Sequence, residues 1–260
     1  MGYFVYNGIR SDDMGLTVQY YPAQPKPQRR VTKITVPGRN GVLRIPEDAW
    51  ENVICTYSCY FKGGPVQASA VAEWLYSAKG YAELRDSYHE GGFRLAAFDG
   101  PVDIENVLNK YGRISVSFDC RPEFWLDSGQ IKQEFTPELG VVTAQLMNPT
   151  KQYARPLIRI YTVNSVIKIT FARDGELWDL SGVTDEMTIT GIDGYVDLDS
   201  AAMMAYKGST NMAPKISMSG GVPRYPTIRP GNGKIVFSGQ EGTVTPAAQK
   251  VEITPRWWSL

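Results

Sequence analysis

The chain has 260 residues, 43% of them hydrophobic, with 27 Lys and Arg set against 27 Asp and Glu. That length suits one large or two medium domains with real cores, and that hydrophobic content excludes a disordered chain. A protein held on nucleic acid by phosphate contacts shows a basic excess, so the even balance argues against tight nucleic-acid binding.

The first residues, Met1-Gly2-Tyr3-Phe4, put no basic region ahead of a long apolar stretch, so no signal peptide is expected. Myristoylation calls for Ser or Thr where Tyr6 stands. No apolar run approaches the roughly 18 residues of a membrane span, so no membrane insertion is expected.

Taken in order, Thr32, Ile34 and Val36 alternate with polar neighbours and predict a strand before the turn Pro37-Gly38. Val53, Cys55, Tyr57, Cys59 and Phe61 predict a second strand with one apolar face. Pro65 suits a first helical position, and Val71, Trp74, Leu75 and Ala78 recur at helical spacing. The pattern predicts a helix over 66–79 with Gly80 as a left-handed cap. Strands follow near Tyr81–Tyr88 and Phe93–Phe98, joined by a turn at Gly91-Gly92. Ile114, Val116, Phe118 and Cys120 mark the inner face of a strand over Arg113–Cys120.

Pro122, Pro137, Pro149 and Pro156 then interrupt the chain, which predicts a domain boundary near residue 130. Beyond it, strands are expected at Leu157–Val163, Val166–Phe171, Leu177–Leu180, Met187–Thr190, Tyr195–Leu198, Met203–Tyr206, Lys234–Phe237 and Val251–Thr254. Asp174-Gly175 and Asp193-Gly194 read as hairpin turns, and Asn211–Pro230 as a long loop. The whole is all-β in two domains, 1–130 and 131–260, the second a β-sandwich or jelly roll whose last strand can return to the first.

Few residues offer chemistry. His89 is the sole histidine, so a Ser-His-Asp triad or a multi-histidine zinc site has little to draw on; beside Glu90 it reads as an exposed turn residue. Cys55 and Cys59 share one strand, about 13 Å apart between Cα atoms, where a disulfide needs under about 7 Å. With Cys120 they read as buried free thiols. Asp193, Asp197 and Asp199 lack the order of a calcium loop, and Tyr195, Asp197 and Asp199 are expected on one solvated strand face. Gly231-Asn232-Gly233-Lys234 has Ile228 where a phosphate loop needs glycine, and reads as a turn. Trp257 and Trp258 are adjacent, so on a strand they face opposite sides. No catalytic residue, metal or cofactor is expected.

Several motifs together resemble the distal tail proteins of long, flexible-tailed phages. Phe4-x-x-Asn7-Gly8 followed by Ser11-x-x-Met14-Gly15-Leu16 is similar to their opening. Pro37-Gly38-Arg39-Asn40-Gly41 resembles a loop between their early strands. Gly112-Arg113-Ile114-x-Val116-x-Phe118, then Pro122-x-Phe124, resembles the close of their first domain. Asn148-Pro149 with Pro156, and Pro230-Gly231-Asn232, resemble marks of their second, departing from it in the further glycine at Gly233.

The resemblance implies a non-enzymatic virion protein. Its first half, a sandwich with one helix and a β-hairpin, joins six copies into a ring that caps the tail tube and holds the central tip protein, a hub or tail-associated lysin. Its second half, a galectin-like (lectin-like) sandwich, projects outward and carries receptor-binding proteins where these exist. DNA passes through the opening without specific binding, and synthesis is in the host cytoplasm. Strand edges suit ring closure, so Thr32, Ile34 and Val36, with Gly91, Gly92 and Phe93, are the candidate subunit interface, and Trp50 is expected as an exposed aromatic there. Two other readings stand beside this one. A carbohydrate-binding module involved in host-surface recognition would use the aromatics, and a wall-degrading hydrolase would use a carboxylate pair.

Overall fold

The computed structural model describes residues 2–102, 105–108, 111–172, 184–218, 224–239 and 248–260, with the backbone alone at 48, 105–108 and 163–165. The chain divides into two units, Met1–Trp125 with Leu260, and Leu126–Ser259. It is all-β, with one α-helix among the described residues.

The first unit holds β1 (Phe4–Tyr6), β2 (Ile9–Arg10), β3 (Leu16–Val18), β4 (Arg29–Thr35), β5 (Val42–Trp50), β6 (Val53–Lys62), α1 (Pro65–Leu75), β7 (Ala82–Asp86), β8 (Gly92–Ala97), β9 (Glu105–Leu108) and β10 (Tyr111–Leu126). Its main sheet runs β2-β1-β7-β8-β10-β6-β3, with β9 also on β10. Gly2, just ahead of β1, bridges Val18 of β3, so the sheet curls until its ends meet. The long antiparallel pairing of β6 with β10 sets Cys55 opposite Phe118. Both strands bury alternate residues, as their period-two patterns predict. Phe4, Tyr6, Tyr57, Trp74 and Phe118 fill the enclosed core.

Helix α1 starts on Pro65 and buries Val71, Trp74 and Leu75. The Trp74 indole N–H donates to the Tyr6 carbonyl at 3.1 Å and its ring stacks on Phe4. The helix ends at Leu75, four residues short of the predicted 79. Tyr76 leaves the helix to pack on Phe98 and to donate to the Gly100 carbonyl. Gly80 does not take the left-handed conformation expected of a cap. Gly91 does, at φ 86°, and makes the β7–β8 turn.

The second unit holds β11 (Gln133–Phe135), β12 (Val142–Asn148), β13 (Leu157–Ala172), β14 (Thr184–Asp199), β15 (Met204–Lys207), β16 (Thr210–Asn211), β17 (Ile216–Met218), β18 (Gly231–Ser238), β19 (Lys250–Thr254) and β20 (Trp258–Ser259). Leu157–Val163 and Val166–Phe171 are one strand, β13, and Met187–Thr190 and Tyr195–Leu198 are one strand, β14. Their register shifts around Val163–Ser165, opposite Ile192 and Asp193. Such a bulge bends a strand pair and increases its twist. One end of the bent pair extends through β19, β11, β15 and β16, and the other through β18, β12 and β17. Between these layers lies the second core, which includes Ile158, Ile160, Ile169, Phe237 and Trp257.

Three turn or loop expectations change here. Asp193-Gly194 lies inside β14, where Gly194 pairs in register with Thr162 and makes no hairpin, while Gly191, at φ 61°, falls in the register shift between Ile189 and Ile192. Gly231–Lys234 already pairs with β12 as the start of β18, because Asn148 and Met147 supply its ladder partners. The span after Asn211 contains a short 3-10 turn at Ala213–Lys215 and strand β17. The expected strand Leu177–Leu180 and turn Asp174-Gly175 lie outside the described residues.

Candidate assembly surface

Among the described residues, strands β4 and β5 pair only with each other, as a two-stranded sheet apart from the main sheet of the first unit. A lone two-stranded hairpin is marginal in water without something to pack on. The tip is Val36–Gly41, where Gly38 and Gly41 take φ of 75° and 79°, beyond the easy reach of other residues. Directly opposite residues share a face. Ile34 faces Leu43 and Thr32 faces Ile45. With Val36 next in the alternation, Ile34, Leu43 and Ile45 form an apolar strip, each residue 37–45% exposed. The other face carries Lys33 opposite Arg44, flanked by Val31, Pro46, Thr35 and Val42. Polar contacts anchor the base: Thr32 donates to Glu47, and Arg30 pairs with Glu51 at 3.1 Å.

The candidate interface residues therefore separate onto two sheets. Thr32 and Ile34 lie on β4 with Val36 just beyond it, whereas Gly91, Gly92 and Phe93 belong to the β7–β8 turn of the main sheet. Gly92 is buried, and a Cβ there would sit 2.4 Å from the Trp125 carbonyl oxygen, so its smallness serves packing. Phe93 is half-buried under the Arg85 guanidinium. Trp50 is also half-buried, not exposed, since the Arg29 guanidinium lies 5.3 Å from its ring. Sequence reading missed β5. Its residues Val42-Leu43-Arg44-Ile45-Pro46 hold no clean alternation and include a proline, which strands tolerate only at edges.

The residues with chemical potential are occupied. His89 is not an exposed turn residue: its side chain is 14% exposed and its Nδ1 lies 2.9 Å from the Asp86 carboxylate. Asp86 also accepts from the Tyr57 hydroxyl and from the backbone N–H groups of Tyr88 and His89, which ties the end of β7 down. Cys55, Cys59 and Cys120 are buried free thiols, as expected, and burial pushes Cys59 up to about 12. The described residues hold no group of three or more His, Cys, Asp or Glu able to hold a metal.

In the second unit, Asp197 and Asp199 depart from the solvated face expected of them. Asp197 is buried and accepts both arms of the Arg159 guanidinium at 2.6 and 2.8 Å. Asp199 accepts from Arg256 at 2.7 Å; burial raises its carboxyl, and this guanidinium together with the backbone N–H groups of Ala201 and Ala202 more than offsets that, leaving it below the usual range. Asp193 is exposed. Trp257 is buried in the second core, and Trp258 turns its indole N–H to the Tyr153 carbonyl.

Glu252 is held down to about 2 from 4.5, first by the hydrogen bond from Lys250 and then by Lys132, 2.9 Å from its other oxygen. A carboxyl lowered on folding adds stability that is full above its unfolded value and is lost as pH falls through the folded one. Unfolding free energy of the wild type is expected to fall between pH 4.5 and 2 partly through this group. Denaturant titrations across that range should show a shallower fall for Glu252→Gln, and parallel curves would contradict the assignment.

The fold is thus that of a two-unit, all-β protein with one short helix and a hairpin sheet of its own. The sequence matches no protein-family model, and no curated protein matches it. Among solved structures the chain is similar to Dit (gp 19.1) of phage SPP1, described as a paradigm of the hub adsorption apparatus in phages infecting Gram-positive hosts. The TM-score is 0.68 at 10% identity, covering 97% of this chain and 98% of that one, which shows a shared fold end to end.

Proposed function

We propose that this chain is a structural protein of a phage tail tip, a distal tail protein of the kind its motifs resemble. Six copies close into a ring through residues 1–130, at the distal end of the tail tube. The ring holds the tip hub or tail-associated lysin protein and leaves an opening for DNA. Residues 131–260 face outward and carry receptor-binding proteins where these exist. Synthesis takes place in the host cytoplasm, and the protein ends in the virion.

The observation that carries this reading is the β4–β5 hairpin, whose apolar strip of Ile34, Leu43 and Ile45 is left to solvent in the single chain. Ring closure needs one surface of each copy to meet a different surface of the next, and an exposed apolar ribbon serves as one half of such a joint. The full-length likeness to a phage hub protein supports it. Against the sugar-binding alternative, the second unit's paired tyrosines are already covered. Lys250 lies over Tyr161, while Arg159 and Lys207 lie over Tyr195, so the covered faces of these two rings are not open to a sugar.

The test is to image the protein reconstituted with its tail-tube partner. A six-fold ring at the tube end is expected. The triple variant Ile34→Ser, Leu43→Ser, Ile45→Ser should lose the ring while its circular dichroism and melting stay near the parent's. A monomer or two-fold dimer at the tube end, or an undiminished ring in the variant, would overturn the proposal.

A further inference from the structure

We infer that the second face of the β4–β5 hairpin is the electrostatic half of the same joint, with Lys33 and Arg44 seating on carboxylates of the next copy of this chain. The inference rests on the ring reading above and names what recognises what within it. From Met14 to Pro46 the sequence has no Asp or Glu but six cations: Lys26, Arg29, Arg30, Lys33, Arg39 and Arg44. Half of them are used locally. Lys26 donates to the Leu260 carbonyl, Arg29 covers Trp50 and Arg30 pairs with Glu51.

Lys33, Arg39 and Arg44 have no carboxylate partner among the described residues. Lys33 and Arg44 also stand directly opposite one another. Like charges in directly opposed positions destabilise a strand pair, so the hairpin carries a repulsion that an anion seated on this face would relieve.

The chain itself supplies that anion. It is neutral as a whole, so the residues outside this stretch hold 27 acids against 21 cations. A cationic ribbon on an otherwise acidic chain is self-complementary in a head-to-tail sense, which is the sense a closed ring requires. The surroundings favour a protein surface over a nucleic-acid backbone. The cation pair is flanked by Val31, Thr35, Val42 and Pro46 instead of further cations, and the reverse face of the ribbon is apolar.

The full-length protein is examined by sedimentation velocity over a concentration series, in about 50 mM and about 500 mM salt, where exposed charges are screened to different degrees. Self-association is expected to weaken with salt. Lys33→Glu with Arg44→Glu should weaken it by about tenfold or more at low salt. Lys33→Gln with Arg44→Gln should weaken it less, and should flatten the salt dependence. Circular dichroism of both variants should match the parent.

If both variants associate like the parent and salt has no effect, this inference falls while the apolar joint stands, provided the serine triple still abolishes association. If the parent stays monomeric throughout and forms no ring on the tail tube, both readings fall together. If duplex DNA binds the parent but not the glutamate variant, and association is unchanged, the face belongs to a polyanion and the inference is overturned.

Discussion

Phe118→Ala is expected to cost the first unit about 3–5 kcal/mol, the range for emptying a buried aromatic site. Phe118 is fully buried at the middle of β10, opposite Cys55 of β6. Its ring meets four others: Tyr6 at 4.7 Å, Phe4 at 5.5 Å, Phe98 at 5.7 Å and Tyr57 at 6.1 Å between centroids. Those rings come from β1 (Phe4 and Tyr6), β6 (Tyr57) and the β8 exit (Phe98), so none can move into the space without pulling its own strand from register. The cavity therefore stays, and the loss exceeds the transfer term alone. Since a domain's whole stability is about 5–15 kcal/mol, about a fifth or more of it goes. Hydrogen exchange followed by mass spectrometry reads the two units separately. Protection in 53–61 and 111–120 should drop, while protection in 157–171 should hold. Phe118→Leu, which refills most of the volume, should cost clearly less. Equal protection in parent and alanine variant would mean the aromatic cluster is not what holds the first unit.

The same residues show what was legible in the sequence. β6 and β10 each bury one face of a sheet, so their apolar residues fall at strict period two and were read directly. Helix α1 was legible through Val71, Trp74 and Leu75, but its end was not, because Tyr76 is fixed by Gly100 and Phe98 far along the chain. The bend of β13 and β14 is not legible as one strand pair, since Asp193-Gly194 looks the same in sequence whether it turns a chain or continues a ladder, as it does here opposite Val163 and Thr162. The hairpin was half legible. Thr32, Ile34 and Val36 were found, but β5 was hidden because neither of its faces packs on a core, and so no burial period is written into it. A strand open to solvent on both faces carries no period of burial for a sequence reading to find.

Asp197 gives the second large expectation. Arg159→Ala is expected to destabilise the second unit by about 2–3 kcal/mol, below the roughly 3–5 kcal/mol that breaking a fully buried ion pair costs. The Asp197 side chain is 5% exposed, and Arg159, its register partner across β13 and β14, provides two charge-assisted hydrogen bonds. Without the guanidinium the carboxylate stays on a strand whose other face is committed to the core through Val196 and Leu198, so it cannot swing to water. Arg159 itself is 40% exposed, which lets water replace part of what is lost and keeps the cost below that of a fully enclosed pair. The guanidinium also covers the Tyr195 ring at 4.6 Å, so part of the loss is packing. A double-mutant cycle separates these. Asp197→Leu with Arg159→Met removes both charges and keeps the volume, and should recover most of the stability. Denaturant unfolding of the four proteins supplies the coupling energy. If Arg159→Ala costs no more than the double variant, Asp197 is not an uncompensated charge, and the pair on β13 and β14 is only a surface contact.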